Sequence, residues 1–235
     1  MDFYDLYLPA EDPEEVVRSA ENTEFTGLAI AHKYVDKEGL DGYLEEMDRL
    51  DSKVEPDLIR CCVVDAESPE ELKKTVGKIR QKVEVVAVDG GDFDINKAAV
   101  GDSRVDILLH PEYKRKDSGM DHKTTKMASE NDVVVGFVFH NLHQTYGKVR
   151  SHVLNHIKKC LKLCEKYDAE FIVTSGAGNK YEMRGPRELS SLLSVLGVEA
   201  SLAIDSVSST PKKIVKRNRR KLGGKTKRGG VEELE

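Results

Sequence analysis

Imidazoles and carboxylates stand where the apolar runs of this chain stop. "TGLAIAH" ends on His32, "LIRCCVVDA" closes around Asp65, and "VEVVAVDG" closes at Asp89. "VDILLHP" closes at His110 and "DVVVGFVFH" on His140, with His143 three residues further on. If these runs are parallel strands, the groups gather at strand ends, where α/β folds place their active sites. Such a set would suit a metal-dependent hydrolase, whose ligands hold an ion that activates water. Three features argue against it. The first run ends "DLYLP", with no pair of ligands flanking one residue; there is no HExxH or carboxylate-rich signature; and "EFIVTSGAGNK" offers small groups at its end. That last stretch could cradle a phosphate through Gly176, Ala177, Gly178 and Lys180, but it lacks the P-loop spacing, and a tight small-residue turn is the expectation.

A second chemistry is written in cations. Residues 1–100 hold 12 Lys/Arg against 25 Asp/Glu, while residues 101–235 hold 25 against 17. The net charge of −5 therefore hides a basic half, and local fields matter more than the sum. Lys114, Arg115 and Lys116 form a run. The stretch from Gln144 to Tyr167 carries Lys148, Arg150, Lys158, Lys159, Lys162 and Lys166 against Glu165 alone. From Ser206 to Val231 there are ten basic residues and no acid, among them Lys212, Lys213, Lys216, Arg217, Arg219 and Arg220. Arg184 and Arg187 flank Pro186 at a helix start, where free backbone N–H groups favour anions. In "GMDHKTTKMASEN", Met120, Thr124, Met127 and Ala128 share one helical face, Lys123 borders it, and His122 and Lys126 point away. Charge runs are usually solvated faces. Their clustering in one half of an acidic chain is instead the footprint of a nucleic-acid binder. Aromatics make up only 6%, so phosphate contacts should outweigh base stacking. If RNA neutralises the C-terminal segment, removing 212–235 should weaken RNA binding, lower its salt dependence and leave the fold up to Ile204 nearly unchanged.

The elements that must position these groups alternate. Eight β-branched apolar runs begin near Phe3, Thr26, Leu58, Val83, Val105, Asp132, Glu170 and Val198. Several are apolar on both faces, as covered parallel strands are. Helical stretches fall between them. "DPEEVVRSAEN" has Asp12 as cap and Pro13 at the first position; "SPEELKKTVGKIRQK" repeats the device with Ser68, Pro69 and Glu71. Stretches after Gly39 and Asp92, the span 144–167, "GPRELSSLLSVLG" and "SSTPKKIVKRNRR" complete the series, with Ile214 and Val215 as anchors in the last. Eight strands alternating with helices in 235 residues is the count of a (β/α)8 TIM-barrel-like single domain, here 1–222, followed by a flexible Gly/Lys-rich tail at 223–235.

Composition agrees. No apolar run reaches the roughly 18 residues of a membrane span, and the acidic start is no signal peptide. The expectation is a soluble, cytoplasmic protein with no membrane partner. Cys61 and Cys62 are adjacent, and Cys160 and Cys164 lie one helical turn apart; neither spacing is a zinc knuckle, so packed thiols are expected.

"SGMDHKTTKMASENDVVVGFVF", "FIVTSGAGNKYEMRGPRELSSLLSVLG", "SSTPKKIVKRN" and the opening "FYDLYLP" resemble, in this order, segments of the archaeal ribonuclease P protein component 3 family, whose eukaryotic relative is the 30-kDa subunit. The resemblance spans Phe3 to about Arg220. It implies a barrel related to metal-dependent phosphoesterases but without their ligands. It also implies an RNA-binding subunit of the ribonucleoprotein that removes the 5′ leader of precursor tRNA. The RNA would do the chemistry with Mg²⁺, this chain would hold no cofactor or metal and no catalytic residue, and component 2 and other subunits would be its partners, with precursor tRNA contacted indirectly. Asp121 would then cap a helix, His122 would face RNA or a partner, and His140 would be a strand-end polar group. A free-standing phosphoesterase on the same barrel is the alternative.

Overall fold

The computed structural model describes residues 1–21, 23–223, 226, 227, 231 and 232. Seven of the expected runs form strands: β1 (Phe3–Leu8), β2 (Phe25–Lys33), β3 (Asp57–Val64), β4 (Val85–Asp89), β5 (Ile107–Leu109), β6 (Val134–Val138) and β7 (Phe171–Thr174). They make one parallel sheet in sequence order, in register from Phe3↔Phe25 on β1/β2 to Val138↔Thr174 on β6/β7. The sheet is curled nearly shut. Tyr4, Leu6, Ala29, Ile59, Ala87, Ile107, Leu109 and Ile172 fill its inside, while Leu8, Leu28, Ile30, Cys62, Val86, Leu108, Val135 and Val173 pack outward against helices. This is the period-two division that a covered strand imposes.

Local chemistry starts the helices. α1 (Pro13–Ala20), α2 (Lys37–Asp51), α3 (Pro69–Ile79), α4 (Phe93–Val100) and α5 (His122–Glu130) each begin behind a Ser or Asp cap, with Asp12 accepting from Glu15 N and Ser68 from Glu71 N. The Asp121 cap of α5 is reciprocal: its carboxylate takes the Thr124 amide at 2.8 Å, and the Thr124 hydroxyl takes the Asp121 amide at 2.8 Å. A short α6 (Phe139–His143) and the long α7 (Gly147–Tyr167) follow β6, and α8 (Pro186–Val195) follows β7.

The eighth strand is not there among the described residues. The run from Val198 becomes α9 (Ala200–Asp205) instead. A seven-residue run that is largely apolar does not distinguish strand from helix, and its Ala and Leu favour the latter. The gap between β1 and β7 is closed by side chains. Buried Asp5 accepts from the Ser175 amide at 3.0 Å, and the single proton of the Thr174 hydroxyl is shared between Asp5 and the Tyr7 carbonyl, the latter at 3.0 Å. Val207, just past α9, takes the Tyr4 amide at 2.8 Å and so occupies part of the missing strand's place.

α10 (Ser209–Leu222) closes the N-terminal end of the barrel, and here an expectation is corrected. Ile214 and Val215 are buried in the inner cluster, so removing 212–235 would open the core rather than spare the fold. The basic segment also finds its counter-charges within the chain. Lys212 meets Asp2, Lys213 meets Glu170 at 2.9 Å, Arg217 meets Asp106 at 3.1 Å, and Arg219 holds Asp57 at 2.7 and 2.9 Å as well as Glu84. Those acids lie at or just before strand starts, and three come from each half of the chain if Asp132, 3.7 Å from Arg217, is included. Lys216 and Arg220 are exposed on the same helix. The tail expectation falls almost wholly outside the described residues; its described pieces, β8 (Thr226–Lys227) and β9 (Val231–Glu232), pair antiparallel.

Candidate nucleic-acid interface

Most of the strand-end imidazoles and carboxylates are paired, and the buried Nε2 of His32 is the exception. His110 bonds Asp89 through Nε2 and receives the Asn141 amide on Nδ1 at 3.0 Å. A carboxylate can only accept, so the proton sits on Nε2 and the amide nitrogen faces Nδ1. Both ring nitrogens are thus engaged, on a residue held at φ 32°. His140 is the second residue of α6 rather than the end of β6, and its Nδ1 lies 3.2 Å from Glu182. His32 stacks on Tyr43 at 5.0 Å, and burial keeps its imidazole below the usual value. Asp65 pairs with Lys33. Among the described residues, no three His, Cys, Asp or Glu side chains come together as a metal site. The four cysteines are buried and free, and burial pushes Cys62 up to about 12.

The "SGAGNK" stretch is a turn. Gly176 has φ 64°, and a Cβ there would fall 2.3 Å from Val138 Cγ1. The Gly178 amide already donates to Glu182 at 2.9 Å, the Ala177 amide to Ser175 at 3.2 Å, and Lys180 pairs with Glu15. The Ala177 and Gly178 amides that a phosphate would need are thus taken.

The cations sort into groups. Arg115 is committed within its loop, to Asp117 through two bonds and to the Gly91 carbonyl at 2.9 Å; its guanidinium drives Asp117 down to about 2. Lys116 and Lys123 are exposed, and Lys126 meets Glu130 at 3.6 Å. His122 is exposed but bonds the Tyr167 hydroxyl at 2.9 Å. Arg187 pairs with exposed Glu24 at 3.0 Å, while Glu188 caps its own helix through the Gly185 amide.

A different set meets aromatic rings. Lys114 lies 4.8 Å from the Tyr113 ring, Arg150 5.3 Å from Tyr146, Lys180 5.1 Å from Tyr181, and Arg184 5.8 Å from Phe139. All four pairs sit on the segments that follow β5, β6 and β7, at the C-terminal mouth of the barrel. Tyr146 is 76% and Tyr181 79% exposed, and Tyr113 is exposed as well. Exposed rings interleaved with cations can stack bases and meet phosphates together. Of this rim the sequence reading named all four cations, Lys180 only as part of a phosphate cradle, but none of the rings. The signal was there in "EYKRK", "TYGKVR" and "NKYEMR", three successive loops each placing Tyr within a turn of a cation.

Similarity to known proteins covers the whole chain. It is 37% identical over 227 residues to ribonuclease P protein component 3 of Methanococcoides burtonii, covering 92% of this chain and 88% of that one. To the same component of Methanosarcina acetivorans it is 31% identical, covering 99% and 96%. Its fold superposes with a TM-score of 0.86 and 29% identity on a chain in the cryo-EM structure of archaeal ribonuclease P with mature tRNA, covering 99% of this chain and 98% of that one. A zinc-bound histidinol phosphate phosphatase from Lactococcus lactis shares the barrel alone, at 8% identity and a TM-score of 0.56. With residues 2–222 matching the model for RNase P subunit p30, the chain belongs to the RNase P subunit p30 family.

Proposed function

We propose that this protein is the component 3 subunit of an archaeal-type ribonuclease P. It supports the RNA that removes the 5′ leader of precursor tRNA and supplies no catalytic group of its own. The whole-length match to a chain of archaeal ribonuclease P carries this reading. Mg²⁺ acts on the partner RNA, and component 2 is the protein neighbour. The setting is the cytoplasm; no helix among the described residues is long and apolar enough to cross a membrane. The free-standing phosphoesterase is not favoured, because His110 is held by Asp89 and Asn141, His140 lies against Glu182, and no three potential ligands come together among the described residues.

Within this role the RNA-facing surface is the mouth rim of Lys114, Arg150, Lys180 and Arg184 with their rings, flanked by Lys116 and Arg187. Lys123, Lys126, Lys216 and Arg220 are secondary candidates. Arg115, Lys212, Lys213, Arg217 and Arg219 serve the fold first. The test is reconstitution: leader cleavage by the catalytic RNA at limiting Mg²⁺, with component 2 and with or without this chain. Cleavage should rise when the chain is added and fall again with a Lys114→Ala/Lys180→Ala variant. Unchanged cleavage on adding the chain would refute the role.

A further inference from the structure

Inside the rim lies a cavity of about 330 Å³, the scale of a small-ligand site. Its walls include Tyr7, His140, Asn141, Gln144 and Asn179, with the acids Glu11 and Glu182; no Lys or Arg lines it. The charge is therefore the reverse of the rim's, and a phosphate inside would face carboxylates.

The walls offer unused hydrogen-bonding groups. Asn141 spends its nitrogen on His110, which leaves its carbonyl oxygen unengaged. His140 spends Nδ1 on Glu182, which leaves Nε2. The Tyr7 hydroxyl has no bonded partner among the described residues, and burial holds it protonated as a donor. The exposed Gln144 amide is likewise unpartnered, with a donor and an acceptor. Donors and acceptors set around an aromatic ring are what reads the edge of a splayed-out base, and carboxylates accept from exocyclic amines.

We propose that the barrel mouth receives one unstacked, amine-bearing nucleobase of an RNA strand whose phosphates lie on the Lys114, Lys180 and Arg184 rim. This rests on the RNA-facing reading above and adds base recognition to it. His110, locked between Asp89 and Asn141, acts as a positioning residue that fixes the Asn141 carbonyl.

The test uses the full chain, a short single-stranded oligoribonucleotide of mixed sequence, and a matched strand of abasic riboses. Gln144→Ala and Tyr7→Phe both keep the barrel packing, since Gln144 is exposed and the Tyr7 ring is retained. Each should weaken binding of the intact strand roughly three- to tenfold, the scale of one lost hydrogen bond. The slope of log affinity against log salt should not move, because no phosphate contact is lost. Abasic strands should bind variant and wild type alike. If both variants bind the intact strand normally while Lys114→Ala/Lys180→Ala flattens the slope, the base site is overturned and the RNA-facing rim stands. If neither kind of variant changes RNA binding, the rim reading has failed too. If the mouth variants spare the oligonucleotide but weaken capture of purified component 2, the cavity takes a protein side chain and the proposal is wrong.

Discussion

Asp106 is the residue on which the closed end of the barrel depends, and Asp106→Ala should expose that dependence. Its carboxylate is 2% exposed and takes donors from three elements: Arg80 on the α3 side, the Val86 amide at 2.8 Å, and from α10 both Arg217 at 3.1 Å and Asn218 at 2.8 Å. Removing it leaves two guanidiniums, with side chains 18% and 23% exposed, facing each other without their shared anion. Breaking one partner out of such a buried ion-paired site costs about 3–5 kcal/mol. Against a domain stability of about 5–15 kcal/mol, that is a large share. The assay is urea unfolding followed by circular dichroism, with the slope against denaturant unchanged and the midpoint moved. The companion measurement separates fold from RNA. The Asp106→Ala protein, kept folded at low temperature, should bind single-stranded RNA with the salt slope of the wild type, since the cations it disturbs face carboxylates and not phosphate. A loss under 1 kcal/mol would refute the clasp. A changed salt slope would restore α10 as an RNA contact.

Two further outcomes follow from buried strain. Glu112 is fully buried with both carboxylate oxygens unpartnered, and burial pushes it from 4.5 up to about 7. Its folded value is raised, so its contribution is fully present below pH ~4.5 and is lost as pH rises through 7, where the deficit levels off near ~3 kcal/mol; Glu112→Gln should flatten that decline in urea midpoints between pH 4.5 and 7, and an unchanged profile would show that Glu112 is not its source. Gly176→Ala should cost roughly 2–4 kcal/mol, from the left-handed backbone and from a methyl forced against Val138; a midpoint shift within error would rule the strain out.

The seven strands were legible because most of their residues are buried on both faces and read as largely apolar runs. Caps were legible because Asp12, Ser68 and Asp121 act on neighbours three residues away. What was not legible depends on closure. Asp57, Glu84, Asp106 and Glu170 each look like ordinary acids at a turn before a strand. Only the curl of the sheet brings them onto one helix 43 to 162 residues later in the chain. The aromatic rim was missed for the opposite reason: overall aromatic content is low, but three of the exposed rings share one face.

The two ends of the barrel therefore use positive charge differently, and this decides where RNA should bind. A phosphate approaching Lys213 or Arg219 must displace a carboxylate already at 2.7 to 2.9 Å, exchanging one anion for another. The exchange gains little, because the carboxylate it displaces is left without its cation. At the mouth, Lys114 and Arg184 lie over ring faces, and a ring quadrupole neutralises no charge. A phosphate there gains a charge-assisted contact and frees its own counterion without breaking an ion pair. On the proposed reading, the densest basic segment of the sequence is thus the weaker anion site, and Lys114 and Arg184 of the βα loops are the stronger one.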